Sequence, residues 1–179
     1  PSSSGKTTFS KKLSILLKVL GRNPVILSLD DYFLPHDKTP LGSDNKPDYE
    51  TIDALDTKLL NDHLVALFKG EKIIKPHYNF KTGDREAAEP PFYLPERACI
   101  LLEGIHGLND KLIKKIDRKA TFKIYVSALT QLNLDDHNRI ATTDNRLLRR
   151  IVRDNKYRDH TALQSLKMWP AVRRGEDKY

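Results

Sequence analysis

The chain has 179 residues, 39% hydrophobic and 31% charged, with a formal net charge of +7. This suits one folded domain with a real core, and no apolar run approaches the ~20 residues of a membrane span. The single cysteine, Cys99, excludes an internal disulfide framework and fits a reducing cytosol, while the basic balance suits an anionic partner: nucleotide, phosphorylated metabolite, nucleic acid or acidic membrane.

The chain opens PSSSGKTT and turns at once into an apolar-periodic run. That opening supplies all of the pattern G-x-x-x-x-G-K-[ST] except its leading glycine. Such a loop cradles phosphate with backbone N–H groups at a helix N-terminus. Ser2, Ser3, Ser4, Gly5 and Thr8 would line it, Lys6 would reach the β- and γ-phosphates, and the Thr7 hydroxyl would bind Mg²⁺. The same residues also read as a flexible serine-rich start followed by a helix cap. In the loop reading, the leading glycine and the strand that feeds it precede residue 1. The chain is then expected to be a piece of a longer one, with the C-terminus open too.

A helix is predicted over residues 7–20, with Phe9, Leu13, Leu16, Leu17 and Leu20 on one stripe and Gly21 as cap. VILSL (25–29) reads as a buried strand ending in Asp30 and Asp31. Residues 35–53 and 76–95 read as long loops, of the kind that tend to be functional. A helix over 56–69, closed by Gly70, lies between them. ACILLEG (98–104) is a second buried strand, ending in Glu103. A short helix is predicted over 112–118 and a third strand over 121–127.

Residues 145–157 predict a helix with Arg146, Arg149, Arg150 and Arg153 on one stripe, and Leu147, Leu148, Ile151 and Val152 opposite. Thr143 or Asp144 would cap it, and Arg158 extends the basic set. Arginine forks suit phosphate oxygens, although a solvated basic face explains the stripe equally well. Strands alternating with helices imply a doubly wound α/β fold, in which ligands sit at the carboxyl ends of the strands. There an acid can hold a metal or accept the proton of an attacking hydroxyl; the two acid-tipped strands also read as plain turns. The six histidines lack metal-ligand spacing and read as structural or loop residues, with His106, beside the second acid-tipped strand, set apart. Tyr32, Phe33, Tyr49, Tyr78, Phe80, Phe92 and Tyr93 cluster in the loop regions, either to stack on a base or to pack the loops down. Met168 and Trp169 read as packing residues.

Taken together, these segments resemble the uridine kinase / phosphoribulokinase family of P-loop kinases, the uridine–cytidine kinase branch most closely. PSSSGKTT is similar to its P-loop, and Ser28 to Phe33 match its strand end S-x-D-x-[FY]-[YF]. The resemblance implies a P-loop NTPase-type doubly wound parallel sheet, helices on both faces and an arginine-rich lid. It implies Asp30 as general base for a nucleoside 5′-hydroxyl, with Lys6, Arg149 and Arg153 acting on the phosphoryl group. Arg150 joins the nucleotide-binding loop residues, and Thr7 and Glu103 are placed near Mg²⁺. Residues 49–56 are similar to the family's F-D-x-P-x-A-[FL]-D segment, and residues 76–80 to its P-x-Y-[DN]-F segment. They imply Tyr32, Tyr49, Glu50, Tyr78, Arg85 and Arg158 around the acceptor. Two departures stand out: Gly83 occupies the place of a base-reading histidine, and residues 132–143 are longer than the usual connection into the lid helix.

The expectation is a cytoplasmic, ATP- and Mg²⁺-dependent kinase, one domain over 1–179, acting on the 5′-hydroxyl of a ribonucleoside such as uridine. The alternatives are a sugar-phosphate or pantothenate-like acceptor, or a non-catalytic domain that binds nucleotide or nucleic acid. Nucleic acid and membrane are not expected partners of the kinase. Self-association and fusion to a further domain are compatible with it.

Overall fold

The structure is a computed structural model that describes residues 2–42, 45–86, 90–128, 130 and 133–178. It forms two compact units, Thr7–Ile124 and Pro1–Lys6 with Tyr125–Tyr179. Pro1 of the loop pattern and Leu132 of the connection before the arginine helix lie outside the described residues.

The larger unit begins in helix α1 (Lys6–Val19), followed by strand β1 (Asn23–Ser28) and a 3-10 turn (Leu29–Tyr32). Helix α2 (Thr57–Phe68), the short strands β2 (His77–Asn79) and β3 (Asp84–Glu86), and strand β4 (Ala98–Glu103) complete it. β1 and β4 pair in parallel, with Val25 opposite Ile100, Leu27 opposite Leu102 and Ser28 opposite Glu103. β2 and β3 form an antiparallel hairpin. Parallel strands of aliphatic residues joined through helices make this an α/β fold.

The core gathers between the end of β1 and α2. Leu60, Leu64 and Leu67 fall at i, i+4 and i+7 of α2 and are at most 2% exposed. Leu27, Leu29, Ile52, Leu55 and Leu112 join the same cluster. The Asp56 side chain caps α2 by accepting from Leu59 N at 2.9 Å. Gly21 and Gly70 follow α1 and α2 with φ of +69° and +79°, as the sequence predicts.

Three expectations are corrected. Residues 112–118 form no α-helix. Asn61, buried on α2, accepts from Lys114 N and Lys115 N at 2.9 and 3.2 Å and donates to the Leu112 carbonyl at 2.9 Å. Its amide supplies the bonds a helical ladder would have made. Residues 121–127 form no strand. A strand needs a neighbouring backbone, and among the described residues none pairs with this one; Phe122 is 88% exposed. The stripe of α1 is largely unburied, with Leu16 61% and Leu20 71% exposed.

The smaller unit contains helices α3 (Thr142–Tyr157) and α4 (Ala162–Lys178). α3 starts three residues earlier than expected. Ala141 is its N-cap without a side-chain bond, so Thr143 and Asp144 lie in the first turn rather than capping it. α4 is not read from the sequence because Pro170, which has no N–H to donate, interrupts the pattern.

Gly104 follows β4, and a Cβ there would lie 2.6 Å from the Leu29 Cβ. Gly104→Ala must therefore displace the first residue of the turn that carries Asp30. The expected cost is about 1–3 kcal/mol, the range for overpacking a core, measured by urea unfolding of the purified chain.

Candidate active site

Parallel pairing sends the carboxyl ends of β1 and β4 to one edge, with Ser28 and Glu103 as register partners. The Ser28 hydroxyl donates to Glu103 Oε1 at 3.5 Å, and the Thr7 hydroxyl donates to the same oxygen at 2.9 Å. Ser28 Oγ also accepts from Asp30 N at 3.3 Å, capping the turn Leu29–Tyr32. Thr7, Glu103, Ser28 and Asp30 thus form one hydrogen-bonded run within the larger unit. It spans the end of the loop pattern and both acid-tipped strands.

The two adjacent aspartates differ. Asp31 accepts from Tyr78 N at 3.4 Å and pairs with His77 Nδ1 at 3.3 Å, which ties the turn to β2. Burial raises the Asp31 carboxyl above its ordinary value, against the bonds from Tyr78 and His77. Asp30 instead joins the strand-end run through its backbone N–H, which donates to Ser28 Oγ.

Tyr49 and Tyr78 come together, hydroxyl to hydroxyl at 3.3 Å. Burial raises the Tyr78 phenol, and the Tyr49 bond adds to it. Glu50 is half-buried beside Tyr49 in the chain. Arg85 lies 3.1 Å from Asp56 Oδ2, so the α2 cap engages its guanidinium. Tyr32 is 1% exposed, and its hydroxyl shares a 3.1 Å hydrogen bond with His63. It joins Phe33 and Tyr78 in the buried cluster.

His106 is 3% exposed, and burial pushes its imidazole pKa down, against the Thr51 backbone and the field of Asp30. His36 was read only as a loop histidine. Its Nδ1 lies 2.9 Å from the Tyr49 hydroxyl, a contact across 13 residues that no local pattern signals.

In the smaller unit two arginines of the stripe face inward, while Arg149 is exposed. Arg146 and Arg150 are 4% and 3% exposed, whereas Leu148 and Val152 on the other side are 63% and 67% exposed. A solvated face therefore does not describe Arg146 and Arg150. Arg146 donates to the Ser2 carbonyl at 2.9 Å, Arg149 to the Ser3 carbonyl at 3.0 Å, and Arg150 to Ser2 Oγ at 2.9 Å. Arg146 also pairs with Glu176 of α4, which accepts from Ser2 N at 2.7 Å. Asp154, fully buried, faces Arg153 at 2.6 Å, Arg150 at 3.2 Å and Arg158 at 3.9 Å. The burial cost of these charges is met by paired carboxylates and loop carbonyls.

The loop residues suit a phosphate. Ser3 and Gly5 have φ of +55° and +97°, a backbone bent so that successive N–H groups form a concave anion nest. The Ser3 and Ser4 hydroxyls are buried without a hydrogen-bond partner among the described residues. α1 begins at Lys6, with Thr7 and Thr8 in its first turn and no acid there to repel an anion. The Thr7 hydroxyl and Glu103 carboxylate are hard oxygen donors of the kind that, with phosphate and water, complete a Mg²⁺ shell. Among the described residues no group of three or more His, Cys, Asp or Glu side chains is set to hold a metal without such help.

A parallel α/β sheet with acids at its carboxyl edge, entered through a serine–glycine–lysine–threonine loop, is the makeup of a P-loop kinase. The chain belongs to the Phosphoribulokinase / Uridine kinase family, whose model matches residues 1–179. ATP is the phosphate donor that this family implies. A uridine kinase of Deinococcus deserti is 30% identical over 161 residues, covering 89% of this chain and 68% of that relative. One of Listeria welshimeri is 33% identical over 166 residues, covering 89% and 67%. The crystal structure of a protein described as a candidate fructose transport system kinase, from Silicibacter sp. TM1040, shares the fold. It has a TM-score of 0.64 at 14% identity and covers 99% of this chain and 81% of that one. Among the described residues no helix is long and apolar enough to cross a membrane.

Two outcomes follow from the smaller unit. Asp154→Ala strands buried arginines and is expected to cost about 3–5 kcal/mol, read by denaturant unfolding. Burial raises Glu176, but the bonds from Arg146 and Ser2 outweigh it and hold the carboxyl below 4.5. Its stabilising contribution is present above that value and is lost as pH falls through the lower folded value. Glu176→Gln should therefore flatten the acid limb of stability below about pH 4.5, measured by urea melts across that range.

Proposed function

We propose that the protein transfers the γ-phosphoryl group of ATP to the 5′-hydroxyl of a ribonucleoside. The observation that carries this reading is the run from Thr7 through Glu103 and Ser28 to Asp30, with bonds of 2.9, 3.5 and 3.3 Å. It joins the hydroxyl suited to a metal to the backbone of the residue whose carboxylate suits a proton, on one strand edge. Bound ATP with Mg²⁺ would supply an electrophilic phosphoryl group whose charge the ion screens; Thr7 and Glu103 would hold that ion.

Each remaining role belongs to the chain's own side chains. Asp30 accepts the proton of the acceptor hydroxyl, which makes the oxygen a better nucleophile. Backbone N–H groups from Ser3 to Gly5, with Thr8 at the helix start, hold the phosphate chain; Ser2 shapes the loop through its bonds to Arg146 and Arg150, and Lys6 neutralises the outer end of the phosphates. Arg149 and Arg153 stabilise charge on the phosphoryl group in transit, and Arg150 fixes the loop through Ser2. Arg158 acts from the Asp154 cluster, and Arg85 from its pair with Asp56. Tyr49, Glu50 and Tyr78 flank the acceptor. Catalysis on this reading is positioning plus electrostatics.

A panel of uridine, cytidine, adenosine, a sugar phosphate and pantothenate, followed by ADP release, tests the acceptor. Nucleoside-dependent ADP is the expected result; release with another acceptor alone overturns the reading. Asp30→Ala should lower kcat by about 10²–10⁴ while ATP still binds, and unchanged turnover would remove Asp30 from the mechanism. Glu103→Gln should raise the Mg²⁺ concentration needed for half-maximal rate, measured by Mg²⁺ titration at fixed ATP.

A further inference from the structure

Ser2 is held by three side chains that lie far from it in the sequence. Glu176 Oε1 on α4 accepts its N–H at 2.7 Å, Arg146 on α3 donates to its carbonyl at 2.9 Å, and Arg150 donates to its hydroxyl at 2.9 Å. The N–H, the C=O and the Oγ of one residue are thus all engaged. Arginine has donors only, so Glu176 is the member of this set that can fix an N–H.

Glu176 is itself held in place. Arg146 pairs with its Oε1, and Arg173, one turn earlier on α4, pairs with its Oε2 at 3.0 Å. The Arg146 guanidinium lies 5.5 Å from the centre of the Trp169 ring, within cation–π reach. The Glu176 side chain is 13% exposed, so the carboxylate meets these partners with little competition from water.

The next residue shows what the grip is for. Ser3 has a φ of +55°, in the left-handed region that costs energy for any residue with a Cβ. Such a conformation persists only where its surroundings over-determine it. Ser2 supplies that constraint on one side of Ser3, and Arg149, donating to the Ser3 carbonyl at 3.0 Å, supplies it on the other. With Ser2 released, Ser3 would relax toward negative φ, and the concave run of N–H groups from Ser3 to Gly5 would open out.

Resting on the ATP reading above, we infer that Glu176 is a positioning residue for the phosphate loop. It acts through the Ser2 N–H, which it holds so that the Ser3–Gly5 nest is already shaped when the phosphates arrive. A preformed nest spares the nucleotide the ordering of the loop, and that saving appears as affinity. Helix α4, through Glu176, Arg173 and Trp169, is thereby a determinant of nucleotide affinity.

The test is calorimetric titration of the full chain with ATP and with ADP, each with Mg²⁺, beside the KM of the acceptor found by the substrate panel. Glu176→Ala should raise the Kd of both nucleotides about tenfold, the size of one hydrogen bond to a charged group, and leave the acceptor KM within about twofold. Glu176→Gln, whose amide oxygen still accepts the Ser2 N–H, should recover most of that loss. Arg173→Ala, which keeps the Ser2 bond and removes one brace from the carboxylate, should raise the ATP Kd about threefold. It carries the test if Glu176→Ala does not fold, and an unchanged ATP Kd in it then overturns the inference. A merely structural role would lower the melting temperature of Glu176→Ala and leave both nucleotide Kd values alone, which also overturns it. So does Glu176→Gln binding ATP as weakly as Glu176→Ala, or an acceptor KM that rises as far as the ATP Kd. Those results leave ATP binding by the wild type standing, whereas a wild type that binds neither ATP nor ADP removes both readings.

Discussion

The parallel register of β1 against β4 is the constraint on which the chemistry depends. Setting Ser28 opposite Glu103 brings the carboxyl ends of two sequence-distant strands to one edge. One hydroxyl then reaches both the Glu103 carboxylate and the backbone of Asp30. A slip of one residue would send Ser28 and Glu103 to opposite faces of the pair and break that link. Leu29, packed under the glycine that follows β4, holds the turn to the strand end. The geometry of this strand edge is thus a by-product of how the core closes.

In the smaller unit, arginines organise backbone instead of coating a surface. Arg146, Arg149 and Arg150 bond to Ser2 and Ser3, and Asp154 and Glu176 supply the opposing charge. A serine-rich loop has little apolar surface with which to hold a shape. Guanidinium forks donate to its carbonyls, and Glu176 accepts the Ser2 N–H.

The aromatic loops solve a different problem. Phe33, Tyr49, Tyr78 and Phe80 come from three separate stretches and interlock edge to face. Asp31 adds a polar tie from the strand end to β2. Long loops without regular structure are thereby anchored to the same turn that carries Asp30.

Much of this was legible in the sequence. Unbroken aliphatic runs marked β1 and β4, apolar spacing and capping residues marked α1 and α2, and the family resemblance rested on short contiguous patterns. These are local signals, set by backbone propensity and side-chain period. What the sequence could not decide were partnerships. The apolar residues 121–127 looked like a strand, but a strand exists only where another backbone meets it. Residues 112–118 looked helical until the Asn61 amide took their hydrogen bonds. The arginine helix left open which of its faces meets solvent, and Arg146 and Arg150 turn inward because carboxylates and loop carbonyls from distant residues meet their charge. Tyr32 is buried against His63, and His36 meets Tyr49 across 13 residues, for the same reason. Period fixes which residues share a face, but only tertiary contact decides which face turns inward and what it finds there.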